Sequence, residues 1–231
     1  MITTHPRSNC KYPKGHKQKS ANEQIDILRR YFVGIGPVDE DLLGRIEEDQ
    51  IKLPQYIDGW FAIPNRIGDQ YFGETYKEAE QLAMATFGET RKIYDFRKVR
   101  SDSRRLCPTR RTDGYLKKLS EEQGEPGILL VPAQFGIFHQ GETFRHAQDK
   151  LRPNEFCLGV FDIITILLTH PERLQGYLDL QIDCGDMIIS SSGNIQDEVS
   201  YFKFDGGQIE FGVHPIDEAN ILRGIVTGFD L

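Results

Sequence analysis

Residues 155–169 read EFCLGVFDIITILLT, a nearly continuous apolar stretch in a chain of 231 residues. Apolar side chains fall on almost every face of a helix drawn through it, which is typical of a helix that is buried all round. Asn154 is a suitable N-cap, and Pro171 is a suitable stop. The stretch is shorter than the ~20 residues that a membrane-spanning helix needs. We therefore expect a helix over about 154–169 in the centre of a core.

Several strands are predicted around this helix. IDGWFAIP (57–64) and ILLVPA (128–133) are short apolar runs of the kind that buried strands favour. SYFKFDGGQIEFGVHP (200–215) alternates on both sides of a Gly-Gly turn, which predicts a hairpin. The pattern indicates an α+β or mixed α/β fold. We expect one globular domain over residues 25–231, whose β-rich C-terminal third packs around the apolar helix.

Residues 1–24 differ in composition from the rest of the chain. They hold five Lys or Arg, one Glu and few apolar side chains, so we expect a flexible basic tail. They lack the apolar stretch of a secretory signal, and no apolar run of membrane-spanning length occurs elsewhere. The four cysteines are scattered, without a CxxC pair. These features predict a cytoplasmic protein with no membrane contact.

Residues 91–118 form a basic segment inside a chain of net charge −7. The segment holds eleven Lys or Arg and three Asp, with aromatic residues between the cations. Arginine side chains match phosphate oxygens, and aromatic rings stack on bases. The segment therefore predicts a binding protein for a phosphate-bearing ligand, a nucleotide or nucleic acid. The predicted ligand contacts are Arg97, Arg100, Arg104, Arg105, Arg110 and Arg111.

The same cations have a second interpretation. They would neutralise the acidic remainder of this chain, or the acidic surface of a neighbouring subunit. In that case the protein is a non-catalytic interaction or assembly protein, and its charge segregation drives oligomer formation.

The stretch VPAQFGIFHQGETFRHAQDK, residues 131–150, is a second candidate site. It begins at the end of the predicted strand ILLVPA, and the carboxyl ends of buried strands commonly host ligands. His139 lies in the loop, while Arg145 and His146 lie in the first turns of the next helix. We predict ligand binding by Arg145 and catalysis by His139 and His146. The alternative is a backbone hydrogen bond for His139 and a solvated helix face for His146.

A third candidate is the acidic strand DLQIDCGDM, residues 179–187. Alternation places Asp179 and Asp183 on one strand face, and Asp186 follows closely. Carboxylates so placed suit Mg²⁺ or Mn²⁺, with Asp183 and Asp186 as ligands. Asp183 would then serve a metal-assisted hydrolase or transferase that acts on a phosphorylated substrate through a His/Asp site. The alternative is an ordinary solvated sheet face.

Asp162 lies in the middle of the apolar helix, where its carboxylate needs a partner or a shifted pKa. We expect an ion pair with an arginine. The chain contains no GxGxxG motif after a strand, no GxxxxGK[ST], no GxSxG and no HExxH. The sequence alone therefore leaves binding protein, enzyme and interaction protein open, with binding ranked first.

Overall fold

The structure is a computed structural model that describes Tyr12 and residues 16–67, 70–99, 105–190 and 192–231. Within these residues, seven α-helices accompany a mixed sheet of eight strands and a second sheet of three strands. The predicted mixed α/β class is confirmed. No helix in this part of the chain is long and apolar enough to cross a membrane.

Helices and strands follow one another closely along the chain. The helices are α1 (Ala21–Tyr31), α2 (Glu40–Glu47), α3 (Tyr76–Thr90), α4 (Phe96–Val99), α5 (Arg110–Glu122), α6 (Phe144–Lys150) and α7 (Val160–Thr169). The strands are β1 (Gly59–Pro64), β2 (Ile93–Asp95), β3 (Arg105–Cys107), β4 (Ile128–Phe135), β5 (Glu155–Cys157), β6 (Gln181–Asp183), β7 (Met187–Ile189), β8 (Ile195–Gln196), β9 (Glu198–Asp205), β10 (Gln208–Pro215) and β11 (Arg223–Phe229). Strands β9 and β10 are the hairpin that the Gly-Gly turn predicts.

Strand β11 lies in the middle of the large sheet, whose order is β1-β4-β11-β6-β9-β10-β2. One edge of β11 pairs with β4. Its other edge pairs first with β6 and then with β5. Gln134 of β4, Thr227 of β11 and Cys157 of β5 therefore lie in one row across three strands. Thr227 of this row donates to Glu155, which is the partner of the candidate residue His139.

Helix α7 is the centre of the core, and all ten of its residues are buried. It packs against β1, α1 and α3. The predicted buried helix is thus confirmed, but it begins at Val160 and not near residue 154. Residues 155–157 form β5 instead, because their backbone pairs with β11. Asn154 donates its side-chain Nδ2–H to the Asp230 carbonyl, so it does not cap the helix.

Helix α1 begins before the expected start of the domain at residue 25. Its first residue is Ala21, and Gln24 is completely buried against the free edge of β1. The Gln24 side chain takes the place of a neighbouring strand there. Its Nε2 donates to the Trp60 carbonyl at 2.8 Å, and its Oε1 accepts from the Ala62 N–H at 3.0 Å. An edge strand covered in this way offers fewer free backbone groups to other chains.

The described residues ahead of α1 also contact the domain. Lys19 Nζ forms an ion pair with Glu172 at 3.0 Å, and the Tyr12 hydroxyl donates to the Asp58 carboxylate. The folded domain therefore includes residues 16–24, which composition assigns to the tail. Residues 1–11 and 13–15 lie outside the described residues, and the flexibility of that part stays a prediction.

Candidate ligand-binding cleft

A cleft with a volume of about 400 Å³ opens beyond the carboxyl end of β4. It is lined by Phe138, His139, Glu142, Lys150 and Arg152, which together define the His139 cleft. All five residues belong to the connection between β4 and β5. This connection consists of a loop, α6 and a short turn, and it contains most of the candidate stretch 131–150.

Gln134 and Gly136 fix the loop that enters the cleft. Gln134 Oε1 accepts from the backbone N–H of Gly136 at 2.8 Å and of Phe138 at 3.2 Å. Gly136 has a φ of +111°, a conformation that strains any residue with a side chain. Gly224 passes so close that a Cβ atom there would lie 2.1 Å from the Gly136 carbonyl oxygen. The loop therefore leaves β4 in one defined direction.

His139 and Glu155 form a buried hydrogen-bonded pair. His139 Nε2 lies 2.7 Å from Glu155 Oε1, which also accepts from the Thr227 hydroxyl at 2.7 Å. Burial raises the pKa of Glu155, but hydrogen bonds from His139 and Thr227 outweigh it and lower the pKa below its ordinary value. Glu155 is therefore ionised near neutral pH. An ionised carboxylate only accepts, so His139 donates its Nε2–H to it.

Glu142 and Lys150 form the neighbouring wall. Lys150 Nζ donates to Glu142 Oε1 at 2.8 Å. The other oxygen, Oε2, is buried and has no hydrogen-bond partner in the described part of the chain. It lies 3.6 Å from His139 Nδ1, which exceeds hydrogen-bond range. This wall thus places the Lys150 ammonium beside the carboxylate of Glu142.

Arg152 forms the opposite wall and rests on two aromatic rings. Its guanidinium carbon lies 3.6 Å from the centroid of the Tyr56 ring and 4.6 Å from that of Phe138. Arg152 is half-buried, yet no described carboxylate lies within ion-pair distance of it. Its Nη1 atom is buried and has no hydrogen-bond partner among the described residues. The positive charge therefore rests on ring faces alone, which supply only a partial counter-charge.

Arg111 of the basic segment supports the turn that carries Arg152. Its Nε donates to the Glu155 carbonyl at 2.8 Å, and its Nη2 donates to the carbonyls of Arg152 and Pro153. The Tyr115 hydroxyl also donates to the Pro153 carbonyl. Arg111 thus shapes the backbone behind the cleft, and its own hydrogen-bonding groups are directed at main-chain carbonyls.

Of the residues predicted from the stretch 131–150, the structure brings only His139 into the cleft. His146 is half-exposed on α6 and does not line the cleft. Arg145 is exposed and pairs with Asp217 at 2.8 Å and with Asp197 at 3.5 Å. The backbone N–H of His146 donates to the Thr143 hydroxyl, so a side-chain cap occupies the start of α6.

Arg97 of the basic segment is held by its own chain. Its guanidinium pairs with Glu80 at 2.7 Å and with Asp95 at 2.9 Å. It also lies over the Phe211 ring. Burial lowers the pKa of Arg97, but the hydrogen bonds with Glu80 and Asp95 outweigh this and raise it above its ordinary value. These contacts support the internal-pairing interpretation at this position.

The other predicted arginines of the basic segment do not form one surface. Arg105 begins β3, and Arg110 begins α5; both are exposed and form no ion pair with the described carboxylates. Arg100 and Arg104 lie outside the described residues. Phosphate or nucleic-acid contact by Arg105 and Arg110 stays a prediction.

Asp183 has a histidine partner that the sequence pattern does not reveal. Its Oδ1 lies 3.0 Å from His214 Nε2, and both side chains are buried. His214 Nδ1 lies 2.9 Å from the Pro215 carbonyl, which can only accept. The alternation 179–183 therefore does not form a solvated carboxylate face, since Asp183 connects β6 to β10.

Asp186 is buried at the start of α7, away from the partner of Asp183. It accepts from the Tyr76 hydroxyl at 2.5 Å and from the Val160 N–H at 2.7 Å. Burial raises the pKa of Asp186 to about 7. Asp162 lies nearby, and its Oδ1 is 3.9 Å from Arg66 Nε, a long form of the predicted arginine pair.

No group of three or more His, Cys, Asp or Glu side chains converges on a metal position within the described ranges. Asp183 and Asp186 have separate partners, a histidine for the first and a phenol with a backbone N–H for the second. The predicted Mg²⁺ or Mn²⁺ site is therefore not supported by a converging ligand set. It stays a prediction without a geometric basis in these residues.

Sequence reasoning missed the two residues that give the cleft its chemistry. Glu155 was assigned to a helix, although it lies in a strand opposite His139, sixteen residues away. Arg152 is a cation shortly after a helix, which the helix dipole alone would explain. The sequence offered one clue to the cleft. His139, Lys150 and Arg152 all lie in the single connection between β4 and β5.

Comparison with known proteins gives no family for this chain. No protein-family model, curated protein or solved structure matches it. Its function is therefore inferred from the chemistry of the described residues.

Proposed function

We propose that the protein binds a small ligand that carries a phosphate or a carboxylate, and that the ligand lies in the His139 cleft. The observation that carries the proposal is Arg152, a half-buried cation without a carboxylate partner among the described residues. Burial of an unpaired charge is costly. An anionic ligand would supply the missing counter-charge.

The surroundings of Arg152 support an anionic ligand. Lys150 lines the same cleft, and its ammonium gives only one of its three N–H donors to Glu142, so it can also contact a ligand. The rings of Tyr56 and Phe138 hold the Arg152 guanidinium in place through cation–π contacts. Its N–H groups are therefore free to donate hydrogen bonds to a ligand. The volume of about 400 Å³ suits a small molecule.

The cleft is a better candidate than the basic segment for the same ligand chemistry. Arg97 is neutralised by two carboxylates, and Arg111 is bound to main-chain carbonyls. Binding of nucleic acid through Arg105 and Arg110 is the weaker proposal, because these exposed residues have no aromatic partner in the described residues. Assembly through charge segregation also remains a proposal.

A second candidate function is proton transfer to or from the bound ligand. The hydrogen bonds from Thr227 and His139 to Glu155 favour it, because a carboxylate that holds one imidazole nitrogen leaves the other free to exchange a proton. This arrangement fits a hydrolase or transferase that acts on an anionic substrate without requiring Asp183 or Asp186.

The free cysteines bear on location. Cys107, Cys157 and Cys184 are unpaired, and the last two are buried. Free thiols are ordinary in a reducing compartment. We propose a cytoplasmic location on this basis.

Binding can be tested with inorganic phosphate as the probe. The melting temperature is measured with increasing phosphate at constant ionic strength, using chloride as the balancing anion. Phosphate at 100 times its dissociation constant should stabilise the native protein by about 2.7 kcal/mol. Arg152→Gln and Lys150→Met should reduce the effect strongly.

The matched control variants are Arg105→Gln and Arg110→Gln, which remove exposed cations of the basic segment. They should leave the phosphate effect intact if the ligand lies in the cleft. Loss of the effect in these variants, with Arg152→Gln unaffected, would move the site to the basic segment. No phosphate effect in the wild-type protein would refute the anion site.

A further inference from the structure

The hydrogen-bond pattern of His139 determines which of its nitrogens faces the ligand. Nε2 donates to the ionised Glu155. When the ring carries this one proton only, Nδ1 has none. Nδ1 then presents a lone pair. No described residue donates a hydrogen bond to it, and its nearest charged neighbour is Glu142 Oε2 at 3.6 Å. In the neutral ring, Nδ1 is therefore an unsatisfied acceptor.

Glu142 Oε2 is a second unsatisfied acceptor at the same place. It is buried, and no described group donates to it, whereas Oε1 accepts from Lys150. A buried acceptor without a donor destabilises the folded protein, because it has lost its hydrogen bonds with water. His139 Nδ1 lies 3.6 Å from this oxygen, so a donor placed beside the two atoms can reach either of them.

We propose that the ligand of the His139 cleft is a hydroxylated anion, such as a hydroxy acid or a sugar phosphate. Its hydroxyl donates to His139 Nδ1, beside Glu142 Oε2, while its anionic group contacts Arg152 and Lys150. This proposal rests on the proposed function, since it assigns a second group to a ligand whose anion binds the same cleft.

A neutral hydroxyl fits this position better than an ammonium group does. An ammonium placed there would lie near Lys150 and Arg152 as well as near Glu142, so repulsion by the two cations would offset part of its attraction to the carboxylate. A hydroxyl supplies the donor for His139 Nδ1 without adding a charge to the cleft. The charged groups that face His139 are Glu155 of β5, Glu142 of the loop, Lys150 of α6 and Arg152 of the following turn.

The test compares two phosphate monoesters of the same charge. Glycerol 3-phosphate carries two hydroxyls, and n-propyl phosphate carries none. Affinities for the protein are measured by titration calorimetry at pH 7.5. Glycerol 3-phosphate should bind about 3- to 10-fold more tightly, the effect of one net hydrogen bond.

His139→Phe should remove this preference while n-propyl phosphate still binds. The matched control Lys150→Met should weaken both ligands by the same factor, because Lys150 contacts the anion in both. His139 is buried, and the variant requires a folded protein, so the wild-type protein supplies an independent readout. The ¹⁵N resonance of His139 Nδ1 should have the shift of an unprotonated nitrogen and move with glycerol 3-phosphate, but not with n-propyl phosphate.

The outcomes separate this inference from the proposed function. Equal affinity for the two esters in the wild-type protein would overturn the hydroxyl contact and leave the anion site standing. A preference that survives in folded His139→Phe, or an Nδ1 resonance that responds equally to both esters, would also overturn it. Binding of neither ester would overturn the proposed function itself.

Discussion

Two half-buried arginines of this protein have opposite surroundings, since one is paired with carboxylates and the other is not. Arg97, in the basic segment, lies between the carboxylates of Glu80 and Asp95. Arg152, in the connection between β4 and β5, lies on the rings of Tyr56 and Phe138 without a described carboxylate in reach. The first charge is neutralised by the chain that carries it. The second has no carboxylate partner among the described residues, and the proposed anionic ligand would neutralise it.

The comparison shows that a segment with many cations need not have cations that are free to bind a ligand. The basic segment is the most conspicuous feature of the sequence, yet several of its cations are used to hold the fold. The cleft contributes only Lys150 and Arg152, and neither is conspicuous in the sequence. An arginine without an internal partner is therefore a better indicator of a ligand than a run of arginines.

The largest effect should come from breaking the paired arginine. Arg97→Met leaves Glu80 and Asp95 buried without their cation, and we expect a loss of about 3–5 kcal/mol in the free energy of unfolding. Urea denaturation at pH 7 measures it. Arg105→Met, at an exposed position of the same segment, is the control and should change stability by less than about 0.5 kcal/mol. Equal losses in the two variants would mean that the ion pairs of Arg97 do not stabilise the fold.

An intermediate effect is expected at Asp186, a buried carboxyl with no ion pair to a described cation. Burial raises its pKa to about 7, whereas an unfolded chain holds an aspartate near ~3.9. The folded state therefore binds this proton more tightly. Its contribution to stability is fully present below pH ~4 and is lost as the pH rises through about 7.

Asp186→Asn keeps the shape of the side chain and removes its titration. The variant should lose this decline of stability with pH, which amounts to at most about 1.4 kcal/mol per pH unit in the wild-type protein. Urea denaturation at several pH values between 4 and 7 gives both slopes. Parallel slopes for wild type and variant would show that Asp186 is ionised throughout this range.

The smallest effect on stability is expected at Arg152. Arg152→Gln removes its contacts with two rings, worth about 0.5–1 kcal/mol each, and also removes the burial of an unpaired charge. These terms oppose one another, so we expect a net change below about 1 kcal/mol by urea denaturation without phosphate. A loss above about 2 kcal/mol would show that Arg152 is a structural residue like Arg97.

The fold was largely predictable where local pattern determines structure. The apolar run identified α7, and the Gly-Gly turn identified the β9–β10 hairpin. The predicted start of α7 was wrong because the sequence of residues 155–157 suits either a helix or a strand. Their pairing with β11, seventy residues further along the chain, decides for a strand. Periodicity cannot detect such a distant partner.

The candidate site was predictable only in part for the same reason. His139 was identified because it follows a buried strand. Its partners Glu155 and Thr227 come from two other strands, and only the sheet register brings them together. Local sequence also cannot show that Arg97 finds two carboxylates and Arg152 none, since ion pairing depends on the packed structure.

A crystal structure of the protein grown in the presence of phosphate tests the central claim most directly. The account predicts a phosphate ion in the His139 cleft, with oxygen atoms within hydrogen-bond distance of Arg152 and Lys150. Phosphate bound at Arg105 or Arg110, with only water beside Arg152, would contradict it.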